Sequence, residues 1–77
     1  MKVQLLIVTP RGTIYGKTEE ASQEEYNQLV EQMENVTLSI SKGTLELFKL
    51  ENNSGNIRII PLQLLKHSYI EIIKINK

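Results

Sequence analysis

Hydrophobic positions change period several times along this chain, and the changes divide it into elements. Residues 2–8 carry a near-continuous apolar run, which predicts a strand at the centre of a sheet. Thr9-Pro10-Arg11-Gly12 follows with Pro second and Gly fourth, the preference of a type I turn. Thr13-Ile14-Tyr15-Gly16-Lys17 then opens β-branched and aromatic, so residues 2–17 read as a β-hairpin. In the next segment Tyr26, Leu29, Val30 and Met33 fall at i, i+3, i+4 and i+7, a single apolar stripe at helical spacing. Ser22 and Glu25 ahead of that stripe have the spacing of a capping box. The predicted helix spans 22–35.

After Asn35 the period becomes two. Val36, Leu38 and Ile40 alternate with Thr37, Ser39 and Ser41, which predicts a half-buried strand ending in a tight turn at Ser41-Lys42-Gly43-Thr44. Leu45, Leu47, Phe48 and Leu50 continue with a slip between Leu47 and Phe48, where a bulge or strong twist is expected. Asn52-Asn53-Ser54-Gly55 is a turn, and Ile57, Ile59 and Ile60 form a short strand stopped by Pro61. Pro61 to Lys66 reads as one helical turn with Pro61 at its first position. Residues 68–75 close the chain as a strand with a second slip at Ile72-Ile73. The expected fold class is α+β: one domain over residues 1–77, with about six strands in a small mixed, mainly antiparallel sheet on one amphipathic helix. Its order is β-β-α-β-β-β-helical turn-β, and a small SH3- or Sm-like barrel is the alternative.

Composition narrows the chemistry. The apolar fraction is 40% and the charged fraction 23%, ordinary values for a folded protein. There is no cysteine, which removes disulfides, thiolate chemistry and zinc–thiolate sites. There is no Asp either, and His67 is the single histidine, with no carboxylate placed to orient it; neither a catalytic residue, a metal ligand set nor a cofactor is assigned. Gly12-Thr13-Ile14-Tyr15-Gly16-Lys17-Thr18 ends like a phosphate-binding loop, but three residues separate its glycines where four are required. The apolar run at the N-terminus is about five residues, too short for a signal core or a membrane span, so a cytoplasmic location is expected.

Net charge is zero, yet the charges are sorted. Glu19, Glu20, Glu24, Glu25, Glu31 and Glu34 form a block without a base; Lys2, Arg11 and Lys17 precede it, and Lys42, Lys49, Arg58, Lys66, Lys74 and Lys77 follow. The acids near the helix start favour its dipole and otherwise read as a solvated face. As a functional surface, Glu24, Glu31 and Glu34 are the candidate contacts to a protein. Tyr15 and Tyr69, read either as ordinary packing or as half-exposed beside Arg11 or Arg58, form with Lys17 the candidate ligand-binding set. No basic stripe with aromatic platforms is present, so direct nucleic-acid binding is not expected. A small aliphatic core without cross-links leaves a thin stability margin, and homo-oligomerisation is an expected remedy.

The stretch Asn56-Ile57-Arg58-Ile59-Ile60-Pro61-Leu62-Gln63-Leu64-Leu65-Lys66-His67-Ser68-Tyr69-Ile70-Glu71-Ile72 resembles short proteins encoded by phages and prophages of low-GC Gram-positive bacteria. In those a strand ends in Ile-Pro, a Leu-Leu turn follows and a Ser-x-Ile strand closes the fold. The resemblance covers the last quarter of the chain and rests on Pro61, Leu64, Leu65 and Ile70, which are fold residues. It implies a host-takeover or counter-defence factor in the host cytoplasm. The expectation is therefore a non-enzymatic binding protein that blocks a host protein or sequesters a small ligand. A structural protein acting through homo-oligomerisation is the alternative.

Overall fold

Five strands and two helices make up the chain in the computed structural model, which describes residues 1–75. Lys77 of the basic set lies outside the described residues. In chain order the elements are β1 (Lys2–Thr9), β2 (Gly12–Glu20), α1 (Gln23–Lys42), β3 (Leu47–Glu51), β4 (Ile57–Pro61), α2 (Leu62–Leu65) and β5 (Tyr69–Ile75). They form an α+β fold with two antiparallel sheets, β2-β1-β5 and β3-β4, and not one mixed sheet of six strands. No ladder joins the two sheets among the described residues, and the SH3- or Sm-like barrel is not confirmed.

β1 is central, as its two-sided apolar run requires. Its connection to β2 is the two residues Pro10 and Arg11, with Thr9 paired to Gly12. The Thr9 hydroxyl donates to the Gly12 carbonyl (2.8 Å) and accepts from the Arg11 amide (3.1 Å), so the turn is closed by a side chain as well as by backbone. β2 runs on to Glu20, beyond the expected end at Lys17. Between Gln4 and Leu6 the register with β2 shifts by one residue, a β-bulge that leaves Gly16 and Lys17 both opposite Leu5. Gly16 is buried there: an added Cβ would lie 2.7 Å from the Leu5 carbonyl oxygen and 3.0 Å from Leu50 Cδ1. The Gln4 side chain donates through Nε2 to the Gly16 carbonyl (2.9 Å) and fixes the bulge.

The helix is longer than expected and replaces the strand predicted at 36–41. Its start matches: Ser22 and Glu25 form the reciprocal capping box. Residues 36–41 satisfy both periods, because Met33, Val36 and Ile40 continue the helical stripe as well as the alternation. Two features of the structure favour the helix. The hydroxyls of Thr37 and Ser39 donate to the carbonyls of Met33 and Asn35, four residues back, so these polar side chains are satisfied along the helix itself. Gly43 (φ 71°) then ends it in the left-handed conformation, its amide donating to Ile40 and that of Thr44 to Ser39, the Schellman pattern.

The expected bulge at Leu47-Phe48 is absent. Leu45 lies in the loop before β3, so the alternation starts afresh at Leu47, which faces out, while Phe48 and Leu50 face in. The slip at Ile72-Ile73 is likewise no irregularity: β5 keeps one register with β1 from Tyr69 to Ile75, and both residues are half-buried on opposite faces. Pro61 is the last residue of β4, extended and opposite Leu47, and not the first residue of α2.

Alternation places Val3, Leu5 and Ile7 of β1 on one face with Ile14 of β2 and Ile70 and Ile72 of β5. α1 and the β3–β4 hairpin cover that face. Ile7, Leu50, Ile60 and Leu65 form the buried centre, with Leu5, Ile14, Ile40, Phe48 and Ile70 packed around it. The hairpin is tied to β2 at its turn: the Thr18 amide donates to Asn53 Oδ1 (2.8 Å) and Asn53 Nδ2 donates to the Thr18 hydroxyl (3.3 Å).

Candidate interaction surfaces

The face of the three-stranded sheet that turns away from α1 is open, and the two tyrosines of the candidate set lie on it. Tyr15 of β2 stands opposite Leu6 of β1, and Tyr69 of β5 stands opposite Val8. They flank β1 from opposite sides, one row apart. Leu6 between them is only 8% exposed although no other element covers this face, whereas Tyr15 is 58% and Tyr69 61% exposed. Glu71, opposite Leu6, and Thr13, opposite Val8, supply polar neighbours. Arg11 is exposed in the β1–β2 turn, at the same end of the sheet as Tyr69.

The other two ligand candidates lie elsewhere. Lys17 sits in the bulge and lines a shallow depression with Val3, Leu5, Leu29 and Leu50, on the side of the sheet that packs on the core. Arg58 is in the second sheet, opposite Leu50, and exposed. The five residues therefore do not converge on one cavity: Tyr15 and Tyr69 share a face, Arg11 shares an end of the sheet with Tyr69, and Lys17 and Arg58 do not join them.

The acidic block is also divided. Glu19 and Glu20 end β2. Glu24 and Glu31, seven residues apart, share one exposed side of α1. Glu34, three residues on from Glu31 and next to it on the helix surface, forms part of the wall of a groove of about 660 Å³ between α1 and β5 that Tyr26, Val30, Met33, Leu38, Ile70 and Ile72 also line. Lys74 crosses one end of this region with its ammonium 4.5 Å from the centre of the Tyr26 ring. Glu25 is committed to the helix cap: the Ser22 amide, and secondarily its hydroxyl, hold its carboxyl below the ordinary value.

Sequence reasoning missed a further apolar patch. Leu47, Ile57 and Ile59 project from the outer side of the β3–β4 hairpin, Ile57 55% and Ile59 62% exposed, with Lys49 and Glu51 beside them. The signal was the doublet Ile59-Ile60: in a strand adjacent residues face opposite ways, so only one could enter the core, and Ile60 does. His67 is exposed at the junction of α2 and β5. Among the described residues no three His, Cys, Asp or Glu side chains approach closely enough to hold a metal ion, and no helix is long and apolar enough to cross a membrane. No protein-family model, curated protein or solved structure matches the chain.

Proposed function

We propose that this chain is a non-enzymatic binding protein that docks a partner protein on the open face of its three-stranded sheet, with Tyr15 and Tyr69 as the anchors. In the setting implied by the C-terminal resemblance, it works in the host cytoplasm and its partner is a host protein whose action it blocks by occupancy. The observation that carries this reading is the pair of exposed tyrosines astride β1, above Leu6 and Val8. Exposed aromatic side chains on a rigid strand lose little entropy on docking, and tyrosine is among the residues that carry most of the energy of protein interfaces. A stable sheet holds both rings at fixed spacing before a partner arrives, which lowers the cost of binding.

Protein docking is favoured over sequestration of a small ligand by the dispersal of the candidate set. Small-molecule sites are concave and bring a few polar groups together. Here Lys17 and Arg58 point away from the tyrosine face, and the groove beside α1 is lined by none of the five. The side chains able to move protons are dispersed as well, with His67 at the α2–β5 junction and the glutamates spread over β2, α1, β3, the loop before it and β5.

The test is capture from host lysate with the wild-type chain and with Tyr15→Ser/Tyr69→Ser, compared by native mass spectrometry. Both rings flank Leu6, so the variant is expected to melt a few degrees lower and to remain folded by circular dichroism. A stoichiometric protein partner held by wild type and lost from the variant supports the reading. Retention by both, or turnover of a substrate by the purified protein that a point substitution abolishes, contradicts it.

A further inference from the structure

We propose that β5 is a dimerisation edge, on which a second copy of the chain lays its own β5 antiparallel about a two-fold axis through Ile72. The two outer edges of the three-stranded sheet are built differently. β2 carries a bulge, three charged residues in Lys17, Glu19 and Glu20, and a Thr18 amide already taken by Asn53. Bulges, charges and capping contacts are the devices that keep a strand edge from pairing with another chain. β5 keeps its register without a bulge, and its two charges, Glu71 and Lys74, are of opposite sign and lie on opposite faces. Its seven residues, Tyr-Ile-Glu-Ile-Ile-Lys-Ile, keep an unbroken register with β1, contain neither Pro nor Gly, and among the described residues have no strand on their other side.

The sequence of β5 is complementary to itself in one register. A two-fold axis perpendicular to the sheet keeps the same face up in both copies. Centred on Ile72, it uses all seven residues and sets Ile72 opposite Ile72 and Ile70 opposite Lys74 on the α1 side. On the outer side it sets Glu71 opposite Ile73 and Tyr69 opposite Ile75. No like charges meet directly, whereas centring on Glu71 would put the two glutamates face to face. The helix supplies the matching charge. Lys74 of the second copy, standing over Ile70, enters the groove whose wall holds Glu34 together with Val30 and the exposed Leu38. By symmetry the ion pair forms twice. This groove then receives the inward-facing side chains of the added strand.

The product is a continuous six-stranded sheet, β2-β1-β5-β5-β1-β2, with α1 of each copy on one side. Both tyrosine faces lie on the other side, so the dimer would present two docking faces in one plane. The inference does not depend on what those faces bind.

Sedimentation equilibrium over about 1 μM to 1 mM reads the dimer constant directly. Glu34→Lys sets two lysines against each other at each end and is expected to weaken dimerisation about tenfold, whereas Glu34→Lys/Lys74→Glu restores it to within about threefold. Glu34 and Lys74 are both exposed, and circular dichroism checks that each variant is folded. Hydrogen exchange on the wild-type chain gives a second readout: amides of β5 slow as concentration rises, while those of β2 do not. A chain that remains monomeric at about 1 mM, a dimer indifferent to Glu34→Lys, or slowing confined to β2 overturns the proposal.

Discussion

Gly16 is the position where one methyl group should cost most. It lies in the β2 bulge between β1 and the β3–β4 hairpin, with the hairpin resting on it through Leu50. A Cβ at residue 16 would meet the Leu5 carbonyl oxygen at 2.7 Å and Leu50 Cδ1 at 3.0 Å. The leucine methyl can rotate away at small cost, but the carbonyl belongs to the central strand and can yield only if β1 and β2 separate. Forcing an extra carbon into such a site typically costs about 1–3 kcal/mol. For a domain of this size a loss of about 2 kcal/mol lowers the melting temperature by roughly 8–16 °C. Urea denaturation of Gly16→Ala followed by circular dichroism measures the loss, and Leu50→Ala in the same background separates the two contacts. Because the Leu5 carbonyl remains, Leu50→Ala is expected to rescue little, with a coupling below about 1 kcal/mol. A Gly16→Ala protein within about 0.5 kcal/mol of wild type would refute the argument that β1 and the hairpin close on this residue from both sides.

Three further outcomes follow from the same contacts. Gly43→Ala places a Cβ at φ 71° and is expected to cost about 1 kcal/mol, with Gly43→Asn less harmful; backbone NMR of the variant should show fraying confined to the last turn of α1. Asn53→Ala removes both links to Thr18, with an expected loss of about 1 kcal/mol and faster hydrogen exchange at the Thr18 amide. Glu25→Gln removes the titrating carboxyl of the capping box and changes the pH profile. The folded protein holds the Glu25 carboxyl below its unfolded value, so its stabilisation is fully present above the ordinary carboxylate range and is lost as pH falls through the folded value. The variant should lose that acid-side decline in thermal melts between neutral and acidic pH.

The elements that were legible in the sequence are those with one competing explanation. The run in β1 could only be a strand buried on two faces, and Ser22 with Glu25 ahead of the Tyr26–Met33 stripe could only be a helix start. Residues 36–41 were ambiguous because Val36, Leu38 and Ile40 alternate while Met33, Val36 and Ile40 also recur at helical spacing; the decision fell to Thr37, Ser39 and Gly43. Local pattern also could not show that the hairpin β3–β4 would leave the first sheet and stack against it, because that depends on the absence of a side chain at Gly16. Among site residues, exposed tyrosines on strands were visible, but whether Tyr15 and Tyr69 share a face depends on the registers of β1 with two partners. One of those registers contains a bulge that no periodicity announces. Leu47, Ile57 and Ile59 were missed because apolar residues in strands are read as core by default, although apolar atoms form much of any protein surface.

Titration calorimetry tests the tyrosine face most directly. The partner retained from lysate is titrated into the wild-type chain and into Tyr15→Ser/Tyr69→Ser at matched folded concentration. Loss of two anchor rings is expected to weaken binding at least about a hundredfold, with unchanged stoichiometry in any residual binding. Equal affinity for both proteins would contradict the assignment of this face as the docking surface.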